Sequence, residues 1–106
     1  MRALDAVPLK ENDRRAIEAA ATLLRAQFPV EEVILYGSKV RGDDDADSDI
    51  DLLVLTSREL SWPQETELRS RVRRLQPRYD VVYGIMVVPA QQWREGLYQA
   101  LAIHEN

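Results

Sequence analysis

Cysteine is absent from the 106-residue chain, and histidine occurs once, at His104. The absence of cysteine excludes disulfide bonds, thiolate metal sites and cysteine nucleophiles. With a single histidine, a metal site has to be built mainly from oxygen ligands, which hard cations such as Mg²⁺ and Mn²⁺ prefer. A metal-dependent activity of this chain would therefore have to depend on carboxylates.

The chain also lacks a long hydrophobic run. No apolar stretch approaches the roughly 20 residues that cross a bilayer, and the beginning of the chain, with Asp5, Lys10 and Glu11, has no signal-peptide core. We therefore expect a cytoplasmic protein without membrane association.

An excess of positive charge is missing too, because 14 basic and 18 acidic residues give a net charge of −4. This balance argues against direct DNA binding through phosphate neutralisation.

The length and composition are typical of one small globular domain covering residues 1–106, with 45% hydrophobic and 30% charged residues. Segments with helical and strand periodicity alternate along the chain, which predicts an α/β (α+β) fold. We expect a small mixed β-sheet with helices packed on it. The predicted order is helix, strand, strand, helix, strand, helix.

Apolar spacing and helix-stopping residues give the predicted boundaries. Helices are expected at residues 11–28, from Ser61 to just before Pro77, and around Trp93, Leu97 and Leu101, with strands at 33–36, 50–55 and 80–88. Ser61 and Gln64 have capping-box spacing at the start of the second helix, and Pro63 lies in its first turn. The apolar stripe around Trp93 is expected to pack on the sheet.

The segment from Gly37 to Asp51, GSKVRGDDDADSDID, carries the residues with chemical potential. A strand repeat of two residues puts Asp49 and Asp51 on the same face. Because like charges this close repel and raise each other's pKa, the pair needs a cation, and a divalent metal is the simplest candidate.

Asp80 opens the third predicted strand, which can bring it within reach of the same ions. Three carboxylates suffice to hold two Mg²⁺ ions about 3.5–4 Å apart. Gly37 permits a tight turn, Ser38 can donate hydrogen bonds to phosphate oxygens, and Arg41 can pair with a phosphate. This set indicates phosphoryl or nucleotidyl transfer, provided that the three acids meet at one pocket rim facing the turn.

Gly37-Ser38, ten intervening residues and Asp49-Ile50-Asp51 resemble the signature of the DNA polymerase β-like nucleotidyltransferase superfamily. The wider run resembles its minimal, MNT-type members, and the order of elements fits over the whole chain. The resemblance implies the polymerase β-like palm fold, with ATP as substrate. It also implies that Gly37 and Ser38 bind the nucleotide phosphates, that Asp49 and Asp51 ligate both Mg²⁺ ions, and that Asp80 is the third ligand.

Minimal members of this superfamily are often encoded beside HEPN-type ribonuclease toxins and act as antitoxins that transfer AMP to a tyrosine hydroxyl of the toxin. The resemblance therefore implies a magnesium-dependent protein adenylyltransferase that forms a hetero-oligomer with a HEPN toxin. Two alternatives stay open at this point. In the first, the chain is a catalytically silent module that neutralises the toxin by occlusion. In the second, it is a nucleotidyltransferase subunit with an RNA or small-molecule acceptor.

Overall fold

The computed structural model of this protein describes residues 10–36 and 49–96. Its elements are α1 (Glu11–Gln27), β1 (Val30–Tyr36), β2 (Ile50–Thr56), α2 (Trp62–Arg73), α3 (Gln76–Tyr79), β3 (Tyr83–Pro89) and α4 (Ala90–Glu95). The predicted α/β organisation is confirmed. The predictions for Gly37, Ser38, Arg41, Leu97 and Leu101 fall outside the described residues.

The first helix forms because its apolar residues recur every three or four positions. Ala16, Ile17, Ala20, Ala21 and Leu24 are buried along α1 and together make the stripe that faces the core. The helix ends at Gln27, one residue before the predicted end, since Phe28 is already extended and precedes a proline.

The start of α2 is a capping box, as predicted. The backbone N–H of Gln64 donates to Ser61 Oγ at 3.3 Å, and the backbone N–H of Ser61 donates to Gln64 Oε1 at 2.9 Å. The end of this helix differs from the prediction, because α2 ends at Arg73 and Pro77 lies in the first turn of the short helix α3. A proline is tolerated there since that amide has no intrahelical partner. The third strand consequently begins at Tyr83 rather than at residue 80.

In the described part of the chain the sheet has three strands in the order β1-β2-β3, with β2 in the middle. β1 pairs with β2 in antiparallel orientation, and β3 pairs with β2 in parallel orientation. The sheet is therefore mixed, as expected from the sequence. The parallel pair requires a crossover, and α2 and α3 provide it.

The two faces of β2 belong to different clusters. Ile50, Leu52 and Val54 are fully buried against residues of α1 and α2. On the other face, Leu53 and Leu55 pack with Val88, Ala90, Ile34 and Trp93. The prediction that Trp93 packs on the sheet is confirmed. Within the described ranges, no helix is long and apolar enough to cross a bilayer.

Tyr83 fixes the position of β3 relative to the helices. Its buried hydroxyl donates to the carbonyl oxygen of Ala16 at 2.7 Å, and its backbone N–H donates to Gln76 Oε1 at 3.0 Å. Burial, and to a smaller extent the nearby Tyr79, raises the pKa of the Tyr83 hydroxyl far above its ordinary value. The hydroxyl therefore keeps its proton and stays a donor. These bonds hold the strand in the register that sets the neighbours of Asp51.

Candidate active site

Asp49 and Asp51 lie at the beginning of the central strand. Asp49 directly precedes β2 and is exposed, whereas Asp51 is its second residue and is partly buried. The strand forms here because the following residues, Leu52 to Leu55, are buried on both faces. Burial of this apolar run fixes the register and leaves the acidic pair at the end where the cover stops.

The electrostatics of the pair favour a cation. Burial raises the pKa of the Asp51 carboxyl above its ordinary value of 3.8, and the negative charge of Asp49 raises it further. A bound cation would reverse both effects, because it replaces lost solvation and offsets the repulsion between the two carboxylates. Two carboxylates in this situation are suitable ligands for a hard divalent ion such as Mg²⁺.

The neighbours of Asp51 across the sheet are Tyr36 on β1 and Gly84 on β3. Burial, and then the charge of Asp51, raises the pKa of the Tyr36 hydroxyl. On the other side, a Cβ atom at position 84 would lie 2.7 Å from Asp51 Oδ1. The carboxylate therefore extends over the space that the glycine leaves free.

Sequence reasoning missed Gly84, although a signal was present. An isolated glycine inside an apolar strand, here Tyr83-Gly84-Ile85, often marks a point where another group approaches the backbone closely. The identity of that group could not be read from the sequence, because the pairing of β3 with β2 is a contact between distant parts of the chain.

Asp80 does not join the pair in this structure. Among residues 10–36 and 49–96, no group of three acidic or histidine side chains could hold a metal ion. Asp80 lies three residues before β3 and ends α3 in the left-handed conformation, with φ of 55° and ψ of 49°. Its backbone N–H donates to the carbonyl oxygen of Gln76. The structure thus gives Asp80 a turn-forming role, for which aspartate is one of the tolerated residues.

The face around the pair is open in the described part of the chain. Three large hydrophobic side chains lie exposed on neighbouring strands and their ends: Tyr36, Val82 and Met86, at 36%, 52% and 44% exposure. Val82 adjoins the pair, since its carbonyl oxygen accepts a hydrogen bond from the Ile50 backbone N–H at 2.8 Å. An acidic pair beside accessible apolar side chains suits a substrate with both charged and apolar parts.

Comparison with known proteins identifies a family and a relative. Residues 18–89 match the family profile described as "Polymerase beta, Nucleotidyltransferase", a range that includes the whole sheet and the acidic pair. A protein of Methanocaldococcus jannaschii named "Putative protein adenylyltransferase MJ0141" is 35% identical over 69 residues. That stretch covers 65% of this chain and spans 64% of the length of the curated relative. No solved structure matches the chain.

Proposed function

Because the chain belongs to the polymerase beta nucleotidyltransferase family, we propose that it transfers AMP from ATP to a hydroxyl group of a partner protein. The observation that carries this proposal is the pair Asp49 and Asp51 at the open end of β2, whose repulsion a divalent cation would relieve. The name of the archaeal relative supports a protein as the acceptor. The resemblance to minimal nucleotidyltransferases supports a HEPN-type ribonuclease toxin as partner and a tyrosine as its modified residue.

The proposed reaction forms one bond and breaks another at the same phosphorus. The acceptor oxygen bonds to the α-phosphorus of ATP, the bond to the bridging oxygen breaks, and pyrophosphate leaves. Mg²⁺ ions held by the carboxylates would lower the pKa of the acceptor hydroxyl and offset the charge of the triphosphate. Asp49 and Asp51 are the proposed ligands, and Gly37, Ser38 and Arg41 are proposed to bind the phosphates.

Asp80 is proposed as the third ligand and as the acceptor of the hydroxyl proton. Since the structure does not group its carboxylate with the pair, this role requires the side chain to approach Asp49 and Asp51 when nucleotide and ions bind. The position of Asp80 just before β3, the strand that pairs with the one carrying Asp51, supports such an approach.

Transfer of label from ATP labelled at the α-phosphate tests the proposal. Asp49→Asn and Asp51→Asn each remove a negative ligand and change the side-chain volume little. We expect labelling of a co-purified partner to fall by on the order of 10³-fold or more. Glu59→Gln is the matched control, because Glu59 is an exposed acid beyond the opposite end of β2 and should leave labelling unchanged. Undiminished labelling by both aspartate variants would refute the proposal.

A mixture of this protein with its partner also tests the two alternatives, neutralisation by occlusion and transfer to an RNA or small-molecule acceptor. A partner ribonuclease that is silenced by this protein without ATP and Mg²⁺ would point to occlusion, whereas silencing that depends on both supports transfer. If the label appears on RNA or on a small molecule instead of on a protein, the acceptor is not a protein. A mass gain of one AMP on a tyrosine of the partner is the expected result.

A further inference from the structure

Gly84 is the second residue of β3 and pairs with Asp51 of β2. A Cβ atom at this position would be 2.7 Å from Asp51 Oδ1 and 3.8 Å from Asp51 Cγ. The shorter distance is well inside van der Waals contact, so any other residue at position 84 would force a shift. The atom that would move is the end of a side chain, which yields more easily than backbone.

The backbone does not explain the glycine. In the described part of the chain, the one glycine with a positive φ is Gly96, at 155°. Gly84 therefore has an ordinary strand conformation that alanine or valine could adopt. Glycine weakens a strand because it loses more conformational entropy on folding and provides no side chain for packing. What position 84 requires is space, and the group that occupies this space is the carboxylate of Asp51.

The two sides of Asp51 differ accordingly. On the β1 side its neighbour is Tyr36, and on the β3 side it is a residue without a side chain. The carboxylate extends over β3, where Oδ1 lies above Gly84. The carboxylate of a proposed metal ligand thus occupies space that a side chain at position 84 would fill.

We propose that Gly84 is a positioning residue, which holds the Asp51 carboxylate in its ligating orientation by leaving the space above β3 free. This inference rests on the proposed function, since it concerns the geometry of the same ion site. Gly84 itself has no side chain to contact an ion or a nucleotide, and its effect is transmitted entirely through Asp51.

A double-mutant cycle on stability tests the spatial part of the inference without metal or nucleotide. In the Asp51→Ala background the carboxylate is gone, and Gly84→Ala should raise the melting temperature by about 2–4 °C because it reduces the entropy of the unfolded chain. In the presence of Asp51, the same substitution should lower the melting temperature. A Gly84→Ala change of the same sign and size in both backgrounds would overturn the inference.

Mn²⁺ titration tests the functional part, with paramagnetic broadening or calorimetry as the readout. Gly84→Ala should weaken Mn²⁺ binding about 10-fold, at the lower end of the range found for residues that orient metal ligands. Glu59→Gln is the control, because Glu59 is an exposed acid beyond the far end of β2; this variant should bind Mn²⁺ as tightly as the wild type. Unchanged affinity of Gly84→Ala also overturns the inference. A wild-type protein that binds no Mn²⁺ contradicts the proposed function instead, and the stability cycle then decides the role of Gly84.

Discussion

The two faces of β2 show how one strand serves both as core and as site. The face with Ile50, Leu52 and Val54 is fully covered by helices. The opposite face is covered by α4 over Leu53 and Leu55, and the cover ends before Asp51. A slip of one residue would exchange the faces and bury a carboxylate in the helical core. The tightly packed face of β2 therefore fixes the position of Asp51 on the opposite face.

Of the effects predicted below, the largest is expected at Asp80, whose substitution tests whether a third acid acts together with the pair at the open end of β2. Asparagine keeps the left-handed conformation that ends α3 but has no charge. If Asp80 acts with the pair, Asp80→Asn lowers AMP transfer by about 10²- to 10⁴-fold, and the melting temperature stays constant. Radiolabel transfer and thermal unfolding are the two measurements. Full activity of Asp80→Asn would restrict Asp80 to its turn-forming role.

The next largest effect is a difference in stability between the two faces of the sheet, the one covered by α1 and α2 and the open one that carries Asp51. Leu52 is fully buried, and Leu52→Ala should reduce the free energy of unfolding by about 2–5 kcal/mol, because it leaves a cavity under α1 and α2. Met86 is 44% exposed, and Met86→Ala should cost less than about 1 kcal/mol. Urea unfolding measures both values. Equal losses would mean that the face carrying Asp51 is covered in solution more fully than the described residues show.

Tyr83→Phe gives a smaller effect on the helical face. The substitution removes the buried bond from the Tyr83 hydroxyl to the Ala16 carbonyl oxygen and leaves the ring in place. We expect a loss of about 1 kcal/mol in unfolding free energy. Because this bond also helps to hold β3 in register, Mn²⁺ affinity should fall slightly. A variant as stable as the wild type would show that packing alone positions β3.

Local patterns predicted most of the fold. The apolar spacing of α1, the capping box of Ser61 and Gln64, and the apolar run of β2 are all consequences of nearby residues, and the structure contains each of them. Pro77 was interpreted wrongly, because a proline near a helix boundary is compatible with both an end and a beginning. The start of the third strand was misplaced as a result.

The candidate site was only partly predictable for a different reason. Asp49 and Asp51 share a face through a repeat of two residues, which needs no knowledge of the rest of the fold. The positions of Asp80 and Gly84 depend on the register of β2 with β3, and bonds between distant residues, such as the one from Tyr83 to Ala16, set this register. No local pattern specifies such a contact.

The smallest predicted effect is a pH dependence confined to the open face. The pKa of Asp51 in the folded protein lies above its ordinary value of 3.8. The folded protein therefore binds a proton at this carboxylate more tightly than the unfolded chain does. Its contribution to stability is present below that ordinary value and is lost as the pH rises through the folded pKa. Without divalent ions, the melting temperature of the wild type should therefore fall relative to that of Asp51→Asn as the pH rises through this window. Asp49→Asn should reduce the difference, because it removes one of the two causes, and saturating Mg²⁺ should reverse it, since a bound cation favours the carboxylate. If the difference in melting temperature between the wild type and Asp51→Asn stays constant with pH, the pair is fully solvated and the two carboxylates do not repel each other measurably.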